Sequence, residues 1–251
     1  MKKKIKRQII FRPNLIKAMM EKAKVFIERI RDKLDELNFW PVPDKDTGKN
    51  AYLIFKGILD AISEKDYATL EELTEDLLEN AQDSARGNIG AAIANGFIGF
   101  FSVLNEEGMK AEELAPEIWQ WIEEISLPEA KKEKIKVMDG NILAKALAAG
   151  FEKAYQGFNP PEKKTVLDVM EAASKEASER VKAGEEDTSI ILKKAIVKAK
   201  DALAKTKGKI YKGEIISTED AGAATFIPIL EAFLKVFIEE GIYKDRKEKK
   251  K

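Results

Sequence analysis

Two aspartates lie two residues apart in a proline-containing loop, and they are the first candidates for chemistry in this sequence. The stretch NFWPVPDKDTGKN, residues 38–50, interrupts a long lysine-rich amphipathic segment. In an extended loop, side chains at positions i and i+2 point to the same side, so Asp44 and Asp46 can share one hard cation. Mg²⁺ typically takes one or two carboxylates together with phosphate oxygens and water. The loop therefore predicts a Mg²⁺ site that bridges phosphates, although both aspartates could instead be turn and helix-capping residues.

Four breaks between the apolar segments of the chain share unusual residues. They are PVPDKDTGKN at 41–50, SARGNIG at 84–90, NPPEKKT at 159–165 and STEDAGA at 217–223. Glycine lets backbone N–H groups approach a ligand, and a helix N-terminus carries partial positive charge, so a glycine loop before a helix favours phosphate. Two alternatives stay open at this point. Gly87 and Gly90 could only permit close helix packing, and Thr165 and Asp220 could be ordinary helix caps.

The composition narrows the chemistry that the chain itself can supply. Its 251 residues include no cysteine and no histidine, which excludes thiolate and imidazole as nucleophile, base or metal ligand. The 44 basic and 44 acidic residues cancel, so no overall charge directs the chain to nucleic acid or to a membrane surface. Any reaction must therefore use carboxylates, lysines, hydroxyls, backbone amides and a bound ion.

Apolar residues recur at three- and four-residue steps along nearly the whole chain, which predicts an all-α fold. No sustained period-two run is present, so strands should be few or absent. We expect a single domain over residues 1–251, a bundle of about eight amphipathic helices, with an inserted helical segment over 108–138 and a frayed basic tail over 244–251. The predicted helices begin near Asn14, Ala51, Leu70, Gly87, Asn141, Thr165, Asp187 and Asp220.

Targeting and membrane signals are weak. The basic start of the chain lacks the long apolar core of a signal peptide. The stretch 89–104 is uncharged over 16 residues, short of the roughly 20 that a membrane span needs. We therefore predict a buried central helix there, no membrane span, and a cytoplasmic protein.

The four breaks also carry a family resemblance. PVPDKDTGKN resembles the PVPDGDTGTN signature of the L-type nucleotide-binding domain shared by dihydroxyacetone kinases and bacterial fatty acid kinases. SARGNIG resembles the ARGNSG loop of that family, EKKTVLDVMEAAS its DKT-type segment, and EDAGAA its late D-x-G-A motif. The motifs occur in the family order, and the family-like sequence covers most of residues 10–240. The resemblance implies an antiparallel barrel of eight helices that binds Mg²⁺ and ATP or ADP at one end.

Site residues follow from the resemblance position by position. It implies Mg²⁺ ligation by Asp44 and Asp46, and Asn38 is the third predicted metal residue, close to where some family members have a further aspartate. Thr47 and Asn50 are implied to contact the metal or the phosphates. Gly87, Asn88 and Gly90 are implied to contact phosphate. Thr165, Asp220 and Gly222 are implied to lie at the nucleoside end.

Two departures from the family motifs bear on catalysis. Lys45 replaces a glycine and is expected to bring its ammonium to the ions or phosphates at the catalytic aspartates. Ile89 replaces a serine and removes a hydroxyl donor. Phosphoryl transfer depends on such positioning groups, so nucleotide binding could persist where catalysis does not. The resemblance thus leaves three functions. The first is a kinase component whose acceptor, dihydroxyacetone-like or fatty acyl, is held by a partner protein. The second is a nucleotide-binding regulatory module of weak or no activity, and the third is a helical scaffold that has lost nucleotide binding.

The segment 108–138 is a third departure, since family members pass more directly to the next helix. Trp119 and Trp121 would lie about 200° apart around a helix, so they cannot share one narrow face. One ring is expected to pack on the domain, and the other to cover the site or meet a partner. Self-association of the chain is a separate expectation. The alternative is that both rings pack between the core and a neighbouring helix.

Overall fold

The computed structural model describes residues 8–38, 43–110, 135–158, 161, 163–211 and 213–241. Eight α-helices occupy most of these residues, which confirms the all-α prediction. Their bounds are α1 Pro13–Leu37, α2 Thr47–Ile62, α3 Leu70–Ser84, α4 Gly87–Glu107, α5 Gly140–Gln156, α6 Val166–Lys182, α7 Thr188–Ala204 and α8 Ala221–Val236. A π-helical turn, Phe237–Gly241, continues α8.

The helices form a closed ring in chain order. Each helix packs against the next one, and α8 packs back against α1. Helices joined by short connections run antiparallel, so the direction alternates around the ring. The N-termini of α2, α4, α6 and α8 consequently meet at the same end of the barrel.

Aromatic side chains fill the interior of the ring. The ring of Phe97 on α4 lies 5.9 Å from that of Phe55 on α2 and 6.1 Å from that of Phe233 on α8. The backbones of α4 and α5 approach closely at Gly99, where a Cβ would lie 2.1 Å from the carbonyl oxygen of Ala149. Helix α4 is therefore a core element, as its uncharged sequence predicts.

Among the described residues, two helical stretches are long and apolar enough to cross a membrane by length and composition alone. They are Gly87–Glu107 and Ala221–Glu240, and in each case 56% of the most apolar window is buried inside the protein. The core helix of a bundle has the same properties, so these stretches are weak evidence for a membrane span. The uncharged stretch 89–104 of the sequence falls within the first of them.

Four three-residue strands accompany the described helices. Strand β1, Ile9–Phe11, pairs antiparallel with β2, Lys136–Met138, and strand β3, Lys209–Tyr211, pairs antiparallel with β4, Glu214–Ile216. The expectation of a helical insertion over 108–138 is wrong for residues 136–138, because β1 supplies a hydrogen-bonding partner that the local pattern does not reveal. Met109 and Val137 also exchange two backbone hydrogen bonds of 2.9 Å. Residues 111–134, which include Trp119 and Trp121, and the tail 244–251 lie outside the described residues.

Candidate functional site

A cavity of about 280 Å³ opens where the N-termini of the even-numbered helices meet. Residues from all four predicted loops line it, although residues 41, 42, 159, 160 and 162 of those loops lie outside the described part. The predicted residues on its wall are Asn38, Asp44, Asp46, Thr47, Asn50, Gly87, Asn88, Thr165, Asp220 and Gly222. Ile89 lines it too, together with three apolar residues that sequence reasoning missed, Phe158, Val166 and Leu167.

The start of α2 shows why Asp46 is available to the cavity. Asp46 occupies the N-cap position, but its side chain makes no capping hydrogen bond. Asp35 of α1 takes that role, because its Oδ1 accepts the N–H groups of Gly48 at 2.6 Å and of Lys49 at 3.2 Å. The two helices come this close since Gly48 has no side chain, and a Cβ there would lie 2.2 Å from the Arg31 carbonyl oxygen. Sequence reasoning missed Asp35, and no local motif marks it.

Asp44 and Asp46 form a polar corner with two asparagines. Asn38 is 5% exposed, and its Nδ2 donates to Asp44 Oδ1 at 2.5 Å. The pKa of Asp46 is raised from its ordinary value, first by burial and then by the negative charges of Asp44 and Asp35, while a hydrogen bond with Asn50 opposes the rise. Like charges therefore repel at this corner, and a cation would relieve the repulsion.

The donor set of this corner fits Mg²⁺ held partly by a ligand. Two carboxylates suit an ion that completes its shell with phosphate oxygens and water. The described residues contain no group of three or more Asp, Glu, His or Cys side chains arranged as a metal site. Those residues therefore do not form a complete metal site from such side chains alone. The amide nitrogen of Asn38 is engaged with Asp44, which leaves only its amide oxygen for the predicted ligation and makes Asn38 a positioning residue for Asp44.

The N-terminus of α4 faces the same cavity without a side-chain cap. Arg86 is its N-cap residue and makes no side-chain capping bond, because a guanidinium has no acceptor for a helix N–H; it donates instead to the carbonyl oxygens of Asp83 and Ala85. Gly87 has φ +60°, a conformation that favours glycine, and a Cβ there would lie 3.0 Å from Asn50 Nδ2. The first N–H groups of a helix have no partner within the helix, so this terminus presents free donors and partial positive charge to an anion.

Two residues with predicted contacts lie off the cavity wall. Gly90 donates its N–H to the Arg86 carbonyl oxygen at 3.1 Å. A Cβ on Gly90 would lie 3.1 Å from the Ala85 carbonyl carbon, so this glycine permits close packing. Lys45 is exposed with φ +53° and does not line the cavity. The phosphate contact of Gly90 and the ammonium contact of Lys45 stay predictions.

Thr165 and Asp220 cap helices and line the cavity at once. Thr165 Oγ1 accepts the N–H of Leu167 at 3.3 Å, and the N–H of Thr165 donates to Asp168 Oδ2 at 3.0 Å. Asp220 Oδ1 accepts the N–H of Ala223 at 2.7 Å. Burial is the main cause that raises the pKa of Asp220. The capping alternative and the cavity contact therefore both hold for these residues.

The DAK2 domain model matches residues 41–235 of the chain, more than half of its length. The chain belongs to the DAK2 domain family. Uncharacterized proteins from the Staphylococcus aureus strains USA300 and NCTC 8325 are each 26% identical to this DAK2 protein over 204 residues, 81% of this chain and 32% of theirs. The chain thus spans about a third of the length of these relatives.

Two solved structures share the fold of this DAK2 protein. The native dihydroxyacetone kinase of C. freundii superposes with a TM-score of 0.59 at 15% identity, covering 90% of this chain and 35% of that one. The same kinase in complex with AMP-PNP and Mg²⁺ superposes with a TM-score of 0.56 at 17% identity, covering 88% and 34%. At these identities the likeness establishes the helical barrel.

Proposed function

We propose that this DAK2 protein binds a Mg²⁺–nucleotide, ATP or ADP, in the cavity and acts as the nucleotide-binding component of a kinase. The observation that carries the proposal is that two features lie side by side in one cavity. Asp44 and Asp46 would hold a cation, and the N-terminus of α4, which has no side-chain cap from Arg86, offers backbone donors next to them, since a Cβ on Gly87 would lie 3.0 Å from Asn50. Phosphates bound between them would meet both a metal and a helix terminus.

The residues around Asp44, Asp46 and the N-terminus of α4 each have a role that the geometry supports. Asn38 holds Asp44, and Asn50 holds Asp46, so both carboxylates are oriented before a ligand arrives. Gly87 leaves room beside Asn50 for an anion to reach the N–H groups at the start of α4. When bound, Mg²⁺ would neutralise phosphate charge, and the chain supplies the positioning on which phosphoryl transfer depends.

The acceptor is proposed to be held by a partner protein. The chain has no histidine or cysteine, which excludes a phosphohistidine or thiolate step on its own side chains. The C. freundii relative is a dihydroxyacetone kinase, and the motifs are shared with fatty acid kinases, so a dihydroxyacetone-like or fatty acyl acceptor is the proposed class.

One observation favours the second candidate, a nucleotide-binding module with little or no turnover. Ile89 is 5% exposed and presents an apolar side chain to the cavity where the family motif has a serine. Lys45, the other departure from the family motif, does not line the cavity. The two candidates therefore differ at Ile89, and both require nucleotide binding.

Calorimetry and thermal melting of the chain with ATP or ADP, with and without Mg²⁺, test the shared step. A ligand bound by the folded state alone raises the melting temperature, so we expect heat and stabilisation that depend on Mg²⁺. An absence of both would reject both candidates. A second experiment then separates the active kinase from the module. It measures transfer of the phosphoryl group from radiolabelled ATP in the presence of an acceptor-binding subunit, for the unaltered chain and for Ile89→Ser.

A further inference from the structure

Charged and apolar side chains line a groove on the surface between α7 and the C-terminal part of α8. The groove has a volume of about 320 Å³, and its lining residues are Lys193, Ile196, Glu231, Leu234, Lys235, Ile238 and Glu239. Ile238 is 36% exposed, and Val197, which follows Ile196 on α7, is 53% exposed. Exposed apolar side chains with charged residues around them are typical of a surface that binds another protein.

The two sides of the groove have the same order of residues. Charged residues stand at both ends and apolar residues towards the centre, at spacings of three, four and seven that share one side of a helix. This surface, the α7–α8 face, consists of Lys193, Ile196, Val197 and Lys200 on α7, and of Glu231, Leu234, Lys235, Ile238 and Glu239 on α8 and its π-helical turn.

The two helices contribute opposite charges to the ends of the α7–α8 face. Lys193 and Lys200 stand at the two ends of the α7 side. Glu231 and Glu239 stand at the two ends of the α8 side, with Lys235 between them. Glu239 lies 3.9 Å from two lysines of its own chain, whereas no ion pair of Lys193 is found among the described residues. The face therefore carries separated charges that a partner with the opposite arrangement can pair.

We propose that the α7–α8 face binds the same face of a second copy of this chain, with α7 of each copy lying on α8 of the other. Such a dimer has a two-fold axis parallel to the helices. Since Lys200 Nζ lies 2.6 Å from Glu231 Oε1 within the chain, the two residues are level, and Lys200 of each copy meets Glu231 of the other. Lys193 then meets Glu239, because α7 and α8 run antiparallel. Placing α7 on α7 would instead set lysines against lysines, which repel.

The apolar centre of the face supplies most of the affinity of this dimer. Exposed ion pairs contribute little, because water and salt screen them. Burial of aliphatic side chains is favourable in proportion to the area that leaves water, and the dimer covers Val197, Leu234 and Ile238. The charge pairs at the ends fix the orientation of the two copies.

The dimer places two nucleotide cavities side by side. An axis parallel to the helices leaves the N-termini of the even-numbered helices of both copies at one end. A partner protein can then approach both cavities from the same side. No residue of the α7–α8 face lines the cavity, so the inference goes beyond the proposed function and does not depend on it.

Sedimentation velocity of the chain without nucleotide, over a series of concentrations, tests the dimer. We expect the unaltered chain to dimerise. Val197→Asp should raise the dissociation constant at least about tenfold, because a carboxylate would be buried at the apolar centre. Val25→Asp is the matched control, since Val25 is 39% exposed on α1 and does not line the groove. It should dimerise as the unaltered chain does.

Charge reversal tests the orientation. Lys193→Glu combined with Lys200→Glu gives an acidic face, and Glu231→Lys combined with Glu239→Lys gives a basic one. Each variant alone should be monomeric at concentrations at which the unaltered chain is a dimer. An equal mixture should form a heterodimer, because α7 of either chain then meets opposite charge on α8 of the other. Lys194→Glu, which changes an exposed lysine off the groove wall, is the control and should dimerise normally.

Several outcomes would overturn the inference. It is wrong if the unaltered chain sediments as a monomer at every concentration, or if Val197→Asp dimerises as well as Val25→Asp. It is also wrong if the two charge-reversed variants stay monomeric when they are mixed. Recovery on mixing requires folded chains, so it cannot result from loss of structure. A heterodimer of the acidic variant with the unaltered chain that is tighter than the unaltered dimer would place α7 on α7 and reject the orientation.

Calorimetry with Mg²⁺ and ATP separates this inference from the proposed function. Val197→Asp should bind the nucleotide as the unaltered chain does, because Val197 does not line the cavity. A chain that dimerises and does not bind ATP rejects the proposed function alone. A chain that binds ATP and stays monomeric rejects the dimer alone.

Discussion

The N-termini of α2 and α4 differ from those of α6 and α8, although all four meet at one cavity. At α6 and α8 the N-cap residues Thr165 and Asp220 accept N–H groups of their own helices. At α4 no side chain caps the helix, and at α2 Asp35 provides the cap in place of Asp46. Helix donors and a carboxylate thus stay available on one side of the cavity and are used by the fold on the other.

This difference predicts which substitutions change the stability of the fold and which change ligand binding. An N-cap contributes about 1 kcal/mol, so a helix that begins without one is less stable than it could be. An anion can take the place of the missing cap, because the terminal N–H groups and the helix dipole both favour negative charge. Substitutions on the α2–α4 side should therefore change ligand binding most, and substitutions on the α6 side should change stability most.

The largest effect is expected for the aspartate pair. Asp44→Asn combined with Asp46→Asn should weaken Mg²⁺-dependent nucleotide binding about 100-fold or more, because two charged metal contacts are lost. Calorimetry measures the affinity, and circular dichroism should show unchanged helicity. Asp60→Asn, which removes an exposed carboxylate paired with Lys56, is the control and should bind normally. A large loss of helicity in the double variant would instead assign the pair a structural role.

Acidic pH should mimic this loss. Since the folded-state pKa of Asp46 is raised, the apo protein gains stability as pH falls through that value, and the gain is lost again as pH rises. Mg²⁺ needs the ionised carboxylate, so its affinity should fall over the same window, above the ordinary value of 3.8. Calorimetry and melting curves across pH measure both trends, and Asp46→Asn should lack this contribution to each. An Mg²⁺ affinity that is constant through this window contradicts the assignment.

Gly87→Ala should lower nucleotide affinity about tenfold, since its Cβ enters the space where phosphate approaches the α4 terminus. The left-handed backbone at Gly87, φ +60°, should also cost about 1 kcal/mol of stability. Gly184→Ala is the matched control, with φ +81° and nothing within 4 Å of the added Cβ. Chemical denaturation should show similar stability losses in both variants, with an affinity loss only at Gly87. Equal affinities would place phosphate away from α4.

On the capped side, Thr165→Ala should destabilise the fold by about 1 kcal/mol, because it removes the capping box with Asp168. Thr69→Ala removes the equivalent box of α3 with Glu72, away from the cavity wall, and should cost about as much. Urea denaturation compares the two variants. If Thr165→Ala also weakens nucleotide binding while Thr69→Ala does not, this side of the cavity contacts the nucleotide as well.

The smallest effect is expected at Lys45. Replacement by glycine should stabilise the protein by at most about 1 kcal/mol, because φ +53° suits glycine better than lysine. Nucleotide affinity and its dependence on Mg²⁺ should stay within about twofold of the unaltered chain, a difference below 0.5 kcal/mol. A clear fall in affinity would show that the Lys45 ammonium contacts the bound ligand.

The sequence by itself determined the helices and most of the cavity wall. Periodic apolar residues fix which segments are helical, and glycine, proline and capping residues mark where they begin, because both signals act over a few neighbouring positions. The loops that contain Asp44, Gly87, Thr165 and Asp220 could thus be recognised without coordinates. Helix alternation around a barrel then brings these loops to one end.

Only the tertiary structure decided which residues of those loops serve the site. Asp35 caps α2 from a different helix in place of Asp46, Gly90 packs on Ala85 while Gly87 lines the cavity, and Lys45 does not line it. Strand β2 forms because β1, more than a hundred residues away in the chain, lies beside it. Such contacts depend on how distant segments pack and on backbone directions at single residues, and neither is encoded in a local pattern of residue types.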